Sequence, residues 1–350
     1  MMAVTIRAHG GPEQLQFVDV PGPAEPGPRD VVVALKAAAL NHLDLFVLAG
    51  MPGLALDFPH VMGADGAGVV EAVGGDVTEL KPGDHVVLNP GLSCRTCATC
   101  YAGEHSMCPT YHLLGEHVNG TFAEAIRVPA ENAVPIPARV PWADAAAFPL
   151  VFLTAWRMLV TRAAPRPGET VLIWGIGGGV AQAALQIAKL RGARVLVTSS
   201  SDAKLERARA LGADAAINHA TADVPREVRR LTDKRGADVV LDSVGAATWD
   251  RSLRLLARGG RLVTCGATSG PDVGLDVRRV FWHHLSILGS TMGNDEEFRQ
   301  VVALLAQGVL RPVVDTILPL RAAGEALARL ASGNQFGKLV LDIAAQAAGR

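Results

Sequence analysis

The feature that most restricts the fold is an alternation of apolar and helical segments between residues 165 and 266. The runs ETVLIWG, ARVLVTS, AAIN, ADVVLDSVG and GRLVTCG are nearly all apolar, and segments with helical patterning separate them. The last of these segments predicts a helix over residues 248–257. Strands that are apolar on both faces need covering on both faces, and parallel strands need crossovers between them. The alternation therefore predicts a parallel sheet with helices on both sides.

The segments that flank this alternation have another pattern. From Val4 to about Val128, short apolar runs are separated by Gly, Pro, Asn and Asp, which predicts the β-strands of a partly closed, barrel-like domain. The apolar tail GKLVLDI predicts a strand that returns to this first domain. A chain of 350 residues is long enough for two domains, and the parallel-sheet domain would be an insertion in the first.

The charge balance excludes several classes of partner. The 33 basic and 34 acidic side chains leave a net charge of -1, so no overall field attracts nucleic acid or an anionic membrane. The longest apolar stretch, residues 145–160, contains Pro149 and Arg157 and is shorter than the roughly 20 residues that a membrane-spanning helix needs. The N-terminal sequence has no secretory pattern. We expect a cytoplasmic protein that acts on small molecules.

Four of the five cysteines lie in one loop rich in Gly, Ser and Thr, with the spacing C-x2-C-x2-C-x7-C. They are Cys94, Cys97, Cys100 and Cys108. Two-residue gaps let thiolates converge on one tetrahedral ion, and four sulfur ligands leave no position open for water or substrate. The spacing predicts one structural zinc per chain, because disulfides are disfavoured in a reducing compartment. Cys265 ends a predicted strand and is interpreted as a small buried residue.

A glycine-rich turn follows the strand ETVLIW and precedes a predicted helix. Its glycines are Gly175, Gly177, Gly178 and Gly179. The spacing of Gly175, Gly178 and Ala181 lets the backbone approach a pyrophosphate and lets the helix pack on the strand. The amides at the helix N-terminus would bind the pyrophosphate. The turn predicts a dinucleotide cofactor.

The end of the next strand bears on which nicotinamide cofactor is bound. An NAD enzyme places Asp or Glu there, which accepts hydrogen bonds from the ribose 2′-hydroxyl. This chain has Thr198, Ser199, Ser200 and Ser201 there, followed by Lys204. Hydroxyl and ammonium donors bind a 2′-phosphate and no carboxylate repels it, so the residues predict NADPH rather than NADH. Serines that cap the next helix are an alternative interpretation, compatible with the first.

A third segment, GADGAGVVEAVGGDVTELKPGDHVV at residues 63–87, lies between the N-terminus and the cysteine loop. Together with the cysteine spacing and the glycine turn, it resembles the medium-chain dehydrogenase/reductase superfamily, which includes the zinc alcohol dehydrogenases and the quinone oxidoreductases. Similar segments, from LNHLDLFVLAG to the terminal GKLVL, extend the likeness over essentially the whole chain. The resemblance implies an α/β fold with a GroES-like, β-barrel-type catalytic domain and a Rossmann domain, which is a doubly wound parallel sheet.

The resemblance also implies the domain boundaries and the assembly. Residues 1–128 and 293–350 would form the GroES-like domain, with the zinc lobe at residues 91–110, and residues 129–292 would form the Rossmann domain. The active site is expected in the cleft between the two domains. A homodimer or a homotetramer is expected, joined through the apolar strand LSILGST.

The chain departs from the superfamily at the catalytic zinc. Zinc alcohol dehydrogenases bind that ion with a Cys, the His of a G-H-E motif and a third Cys or Glu, and these positions are Asn41, Ala64 and Leu150 here. Alanine and leucine cannot ligate a metal, so no catalytic zinc is expected. The chain is more similar to zinc-independent quinone oxidoreductases, which prefer NADPH, although it keeps the four-cysteine lobe. His219 replaces a Tyr that helps to bind the 2′-phosphate in those reductases.

Hydride transfer without a catalytic metal needs an acceptor that spreads the negative charge it gains. A quinone or an α,β-unsaturated carbonyl does so. By motif position, Asn41 is a candidate contact to the carbonyl or the ribose, and Thr154 is expected beneath the nicotinamide. His42, Asp44 and Asp65 are candidates to relay a proton or to orient Asn41. The matching segments also assign three further cofactor contacts, which are Gly245, Gly266 and Lys338.

Two other functions fit the same residues. One is a zinc-dependent alcohol dehydrogenase whose catalytic metal site is rebuilt from His42, Asp65 and His60, which would hold two zinc ions per chain. The other is a protein that binds NADPH without turnover. The zinc content and the oxidation of NADPH by quinones or enones distinguish both from the preferred reductase.

Overall fold

The computed structural model describes residues 1–344, which form two compact units. The first unit contains Met1–Leu150 and the described chain from Gly293, and the second is Val151–Met292. The predicted α/β class, with a barrel-type sheet in the first unit and a parallel sheet in the second, is confirmed. Residues 129–150, which the motifs assign to the second domain, pack with the first unit, because the strand Ala133–Pro135 pairs with the strand His85–Leu88.

The strands are divided between the two units. In chain order they are β1 (Met2–Ile6), β2 (Leu15–Asp19), β3 (Asp30–Ala39), β4 (His60–Val61), β5 (Asp65–Val73), β6 (His85–Leu88), β7 (Gly91–Leu92), β8 (His112–Leu113), β9 (Ala125–Pro129), β10 (Ala133–Pro135), β11 (Thr170–Ile173), β12 (Arg194–Ser199), β13 (Ala215–Asn218), β14 (Ala237–Asp242), β15 (Leu256–Thr264), β16 (Ser286–Gly289), β17 (Val314–Pro319) and β18 (Lys338–Asp342). Strands β11 to β16 belong to the second unit and the others to the first.

The α-helices are short, with 4 to 12 residues. In chain order they are α1 (His42–Ala49), α2 (Ala98–Tyr101), α3 (Trp142–Ala146), α4 (Pro149–Trp156), α5 (Gly179–Leu190), α6 (Asp202–Ala210), α7 (Val224–Leu231), α8 (Trp249–Leu255), α9 (Val277–His283), α10 (Asp295–Ala306) and α11 (Ala323–Ala331). Within residues 1–344, none of them combines the length and the apolarity that crossing a bilayer requires.

The first unit is built around β3. This strand of ten residues pairs antiparallel with β5, β9 and β18, in a sheet of order β10-β6-β5-β3-β18-β17. Val31, Val33 and Leu35 place their side chains in the core of this unit. Gly68 of β5 crosses so close to β3 that a Cβ atom there would lie 2.2 Å from the Ala34 carbonyl oxygen. The glycine therefore permits the close pairing that fixes the register of these strands.

The second unit is a wholly parallel sheet of order β13-β12-β11-β14-β15-β16. Every residue of β11 and β14 is buried, which explains why their sequences are mostly apolar. The strand order reverses between β11 and β14, and doubly wound sheets bind ligands at the carboxyl ends of strands at such a point. The helix predicted over residues 248–257 ends at Leu255, because Leu256 pairs with Ala237 and begins β15.

Candidate functional site

Three strands of the first unit bring distant residues to one end of its main sheet. Because β3 runs antiparallel to β5 and β18, its last residues lie beside the first residues of both neighbours. Ala39, at the end of β3, pairs with Asp65 of β5 and with Val340 of β18. Asn41 therefore reaches Asp65 and Lys338, although Lys338 is 297 residues away in sequence.

These side chains, Asn41, Asp65 and Lys338, form a buried group that we call the lysine cluster. Lys338 Nζ donates to Asn41 Oδ1 at 2.5 Å and to Asp65 Oδ2 at 2.9 Å. Asn41 Nδ2 donates to Asp65 Oδ2 at 2.9 Å, and the Leu150 backbone N–H donates to Asp65 Oδ1 at 2.9 Å. Asn41, Asp65 and Lys338 are 6%, 0% and 4% exposed, so solvent screens these charge-assisted bonds little.

Helix α1 holds Asn41 in place through its N-terminus. Asn41 is the N-cap residue, and its backbone N–H donates to Asp44 Oδ2 at 2.7 Å. Burial raises the pKa of Asp44 to about 7, and Asp44 Oδ1 has no partner within residues 1–344. His42 is exposed, and partial desolvation, followed by the charge of Lys338, lowers its pKa. Asp44 is thus a capping residue beneath the lysine cluster, and His42 is a neutral polar group at its surface.

The residues at the expected catalytic-zinc positions do not fit a metal ion. The side chains of Ala64, which is fully buried, and Leu150 have no donor atom for a metal, and the Leu150 backbone N–H donates to Asp65. The remaining oxygens, Asn41 Oδ1 and Asp65 Oδ2, accept hydrogen bonds from the Lys338 ammonium, whose charge repels a cation.

His60 offers no better ligand for a rebuilt metal site. Its Nε2 lies 3.1 Å from the Gly115 carbonyl oxygen, and its ring is 3% exposed. Among residues 1–344, only the four cysteines form a group of three or more His, Cys, Asp or Glu side chains that could hold one ion.

In the zinc lobe, residues 91–110, the four cysteine sulfur atoms lie within 4.8 Å of one another. The Sγ atoms of Cys94 and Cys100 are 4.0 Å apart, those of Cys97 and Cys108 are 3.9 Å apart, and those of Cys94 and Cys108 are 3.5 Å apart. A tetrahedron with Zn–S bonds of about 2.3 Å has edges of about 3.8 Å. A hydrogen bond from the Thr96 backbone lowers the pKa of Cys94 to about 5, which favours its thiolate. These sulfur atoms support one structural zinc.

An ion pair docks the zinc lobe on helix α10. Arg95, between the first two cysteines, is paired with Asp295, the first residue of α10, and its Nη2 donates to Asn132 Oδ1 at 3.3 Å. His105 Nε2 lies 3.6 Å from Asp295 Oδ2. No sequence motif predicts this contact. The sequence shows that Arg95 is a charged residue among small residues of the lobe, but it does not indicate that the partner of Arg95 is Asp295.

The glycine turn of the second unit fits a dinucleotide. Gly175 has a φ of +67°, and a Cβ atom there would meet no other atom within 4 Å, so the space beside the turn is open. The Gly175 and Ile176 N–H groups donate to the side chain and the backbone of Thr198, which ties the turn to β12. Gly178 is the N-cap of α5, and Ala181 packs the helix on the sheet at 3% exposure. The turn leaves room for a pyrophosphate at the start of α5.

The end of β12 carries hydroxyl groups and no carboxylate. Ser201 caps α6 with its side chain, and Ser199 Oγ accepts from the Ser201 N–H at 3.1 Å. The capping interpretation therefore applies to Ser201, whereas Ser200 is exposed. Asp202, the next carboxylate along the chain, accepts from Asn218 Nδ2 at 2.8 Å.

His219 follows β13 and lies beside the start of the glycine turn. Its ring centroid is 6.2 Å from that of Trp174, and its Nδ1 is buried with no partner within residues 1–344. Desolvation, followed by the charge of Arg251, lowers the pKa of His219, so its imidazole is neutral at pH 7. The Arg251 guanidinium lies 5.2 Å above the Trp174 ring. Arg251 therefore supplies the positive charge in this region, and no sequence motif marks it.

The other predicted residues of the second unit lie after β14 and β15 or in α4. Gly245 has a φ of +87°, and a Cβ atom there would lie 2.7 Å from the Gly270 carbonyl oxygen, whereas one at Gly266 would lie 3.2 Å from that of Ser243. These two loops are in contact. Thr154 is 5% exposed, and its Oγ1 donates to Met292 Sδ at 3.6 Å. The structure thus gathers the predicted glycines at the carboxyl ends of the central strands, and it brings Lys338 to Asn41 and Asp65 in the first unit.

The chain is similar to known dehydrogenases in sequence and in structure. Residues 27–138 match the family model of the alcohol dehydrogenase GroES-like domain, and residues 179–307 match that of the zinc-binding dehydrogenases. A quinone oxidoreductase from Pseudomonas aeruginosa is 34% identical over 97% of this chain and 98% of its own length. An alcohol dehydrogenase from Schizosaccharomyces pombe is 30% identical over 98% of this chain and 97% of its own. The crystal structure of an NAD-dependent alcohol dehydrogenase, 50% identical, covers 98% of this chain and 100% of that chain with a TM-score of 0.95.

Proposed function

The chain belongs to the medium-chain dehydrogenase/reductase superfamily and is an NAD(P)H-dependent oxidoreductase, and on this premise we propose that it transfers a hydride from NADPH to a quinone or an α,β-unsaturated carbonyl without a catalytic zinc. The main support for this proposal is the lysine cluster. The oxygens of Asn41 and Asp65 bind a buried ammonium, and Ala64 provides no donor atom. These residues leave no ligand set for a Lewis-acidic metal.

The class of acceptor follows from where the negative charge lies after the acceptor has received the hydride. A simple ketone that receives a hydride concentrates a full negative charge on one oxygen, which dehydrogenases with a catalytic zinc stabilise by coordination. A quinone or an enone spreads the same charge over a conjugated system, so hydrogen-bond donors suffice. The oxygens of the lysine cluster accept hydrogen bonds from an ammonium, and this arrangement of donors favours the conjugated acceptors.

The second unit would bind the cofactor, which supplies the hydride when bound. The turn from Gly175 to Gly178 and the start of α5 would bind the pyrophosphate. Ser200 is exposed at the end of β12, where NAD enzymes carry a carboxylate, and Lys204 follows it in α6. Hydroxyl and ammonium donors in this position support NADPH, through hydrogen bonds to its 2′-phosphate.

The reaction is tested by measuring steady-state oxidation of NADPH with naphthoquinone and with the enone benzylideneacetone as acceptors. The reverse direction is tested by measuring oxidation of primary and secondary alcohols with NADP+. We expect turnover with the conjugated acceptors and one zinc per chain after washing with a chelator. Two zinc ions per chain together with rapid alcohol oxidation would favour a metal-dependent alcohol dehydrogenase. Tight binding of NADPH with no turnover of any acceptor would favour a protein that only binds the cofactor.

The cofactor preference has its own test, based on Ser200→Asp. This exposed position tolerates a carboxylate, which repels the 2′-phosphate and accepts from a 2′-hydroxyl. A fluorescence titration should show that the wild-type protein binds NADPH more tightly than NADH and that the variant reverses the order. Ser201→Asp is the matched control, because an aspartate there preserves the cap of α6. Tighter binding of NADH than NADPH by the wild-type protein would refute the NADPH assignment.

A further inference from the structure

The ammonium of Lys338 has a hydrogen-bonding capacity that the protein does not exhaust. An ammonium group carries three N–H donors. Two of them point to Asn41 Oδ1 and Asp65 Oδ2, and within residues 1–344 the third finds no acceptor. Buried donors are nearly always paired, so a remaining N–H at 4% exposure is expected to have an acceptor that is not part of the chain.

The position of the lysine cluster permits such an acceptor to come from outside. Asn41 is 6% exposed, but His42, the next residue, is exposed at the start of α1. The lysine cluster therefore lies one residue along the chain from an exposed position of the first unit. Asp65 accepts from Lys338, Asn41 and the Leu150 backbone, so three donors hold its carboxylate in one orientation. The carboxylate and the Asn41 amide in turn fix the ammonium, which is a preorganised charge rather than a mobile side chain.

We infer that Lys338 is a catalytic residue, whose free N–H donates to the acceptor oxygen that becomes negatively charged during hydride transfer. This inference rests on the proposed function. In an enone, the hydride adds to the β-carbon, the C=C electron pair moves to form the enolate, and the carbonyl π pair becomes a lone pair on oxygen. A proton from water then adds to the α-carbon. Lys338 stays protonated throughout and stabilises the enolate oxygen, with Asn41 and Asp65 as positioning residues.

A fixed cation suits this task. A donor that is already oriented does not need to reorganise as the charge forms, and the low local dielectric strengthens its interaction with the oxygen. Removal of one such donor typically lowers kcat by about 10²- to 10³-fold. The loss should be greater for an enone than for a quinone, because the quinone delocalises more of the charge by itself.

The test compares Lys338→Met, Lys338→Arg and the wild-type protein with benzylideneacetone and naphthoquinone. We expect Lys338→Met to lower kcat by about 10²-fold or more with the enone and by about 10-fold with the quinone, while the Kd for NADPH changes by less than about threefold. Lys338→Arg, which keeps a charged donor, should recover at least about tenfold of the loss with the enone. Lys36→Met, in β3 of the same sheet, is the matched control and should leave kcat unchanged.

A purely structural or cofactor-binding lysine gives a different result. Equal losses with both acceptors, an unchanged kcat, or a Kd for NADPH that weakens in parallel with kcat would each overturn the inference. If Lys338→Met does not fold, the double variant Asp65→Asn with Lys338→Met removes both charges and leaves neither unpaired, and the same ratio of enone to quinone losses is expected. A wild-type protein that reduces neither acceptor would instead refute the proposed function, and the inference with it.

Discussion

The zinc lobe and the lysine cluster both gather polar groups around one positive charge, but they are assembled in opposite ways. The lobe takes all four ligands from residues 94–108, and its short spacings already define a tetrahedron. The lysine cluster takes its members from β5, from β18 and from Asn41, two residues after β3, and the pairing of these strands brings them together. The cation of the lobe is an exchangeable ion, whereas that of the cluster is covalently part of the chain.

This difference separates two uses of positive charge in one unit. A metal with four sulfur ligands has no open position and can only shape the loop that holds it. A lysine held by two oxygens keeps a donor free, and on our inference it uses that donor in the reaction. Variants that remove one cation and leave the other should therefore separate stability from catalysis.

The largest effect is expected from Cys100→Ser, which removes a buried ligand of the zinc lobe. Zinc contributes about 10–16 kcal/mol to the folding of small zinc peptides, and a serine hydroxyl is a poor ligand for it. We expect bound zinc to fall to near zero and the free energy of unfolding to fall by at least about 4 kcal/mol, as measured by metal analysis and urea denaturation. Cys265→Ser, outside the lobe, should keep its zinc. Full zinc occupancy in the Cys100 variant would contradict the four-ligand site.

The next effect concerns the lysine cluster and Asp65→Ala. This change leaves the buried Lys338 ammonium without its carboxylate and leaves the N–H groups of Asn41 and Leu150 unpaired. Breaking a buried pair from one side costs about 3–5 kcal/mol of unfolding free energy, whereas zinc binding should not change. Asp250→Ala is the control, because its pair with Arg254 is exposed and should contribute less than about 1 kcal/mol. Equal effects of the two changes would argue against a buried ion pair.

A smaller effect is expected where the zinc lobe docks on α10. Arg95→Met removes the ion pair with Asp295 and the hydrogen bond to Asn132, but no sulfur ligand. Hydrogen bonds to charged groups contribute about 1.5–3 kcal/mol, so we expect a loss of about 2 kcal/mol in unfolding free energy, with one zinc still bound. Metal analysis of the folded variant checks this. Loss of zinc along with stability would show that docking and metal binding are a single event.

The smallest effect is a pH dependence from Asp44. Burial raises its pKa from 3.8 unfolded to about 7 folded, so its stabilising contribution is complete below about pH 4 and is lost as the pH rises through 7. Asp44→Asn resembles the protonated acid and keeps the cap on the Asn41 N–H. Between pH 6 and 8 the variant should therefore gain about 1 kcal/mol in unfolding free energy relative to the wild type. Parallel stability curves for the two proteins would show that Asp44 does not titrate in this range.

Much of the second unit could be predicted because its signals are local. The buried strands β11 and β14 are mostly apolar, and the turn at Gly175 begins two residues after β11 ends. The helix predicted to reach residue 257 ended early, because pairing between Leu256 and Ala237 outweighed the helical pattern. Propensity along the chain cannot foresee such a competition, because the partner strand lies elsewhere in the sequence.

By itself, the sequence determined the α/β class, the ligands of the zinc lobe and the glycine turn, since each depends on residues close together in the chain. Only the tertiary structure decided that Lys338 joins Asn41 and Asp65 and that Arg95 finds Asp295. The physical reason is register. The register decides which residues of β3, β5 and β18 lie opposite one another, and it depends on how the whole faces of the sheet bury their side chains. A shift by one residue would turn Asp65 and Lys338 to the other face of the sheet.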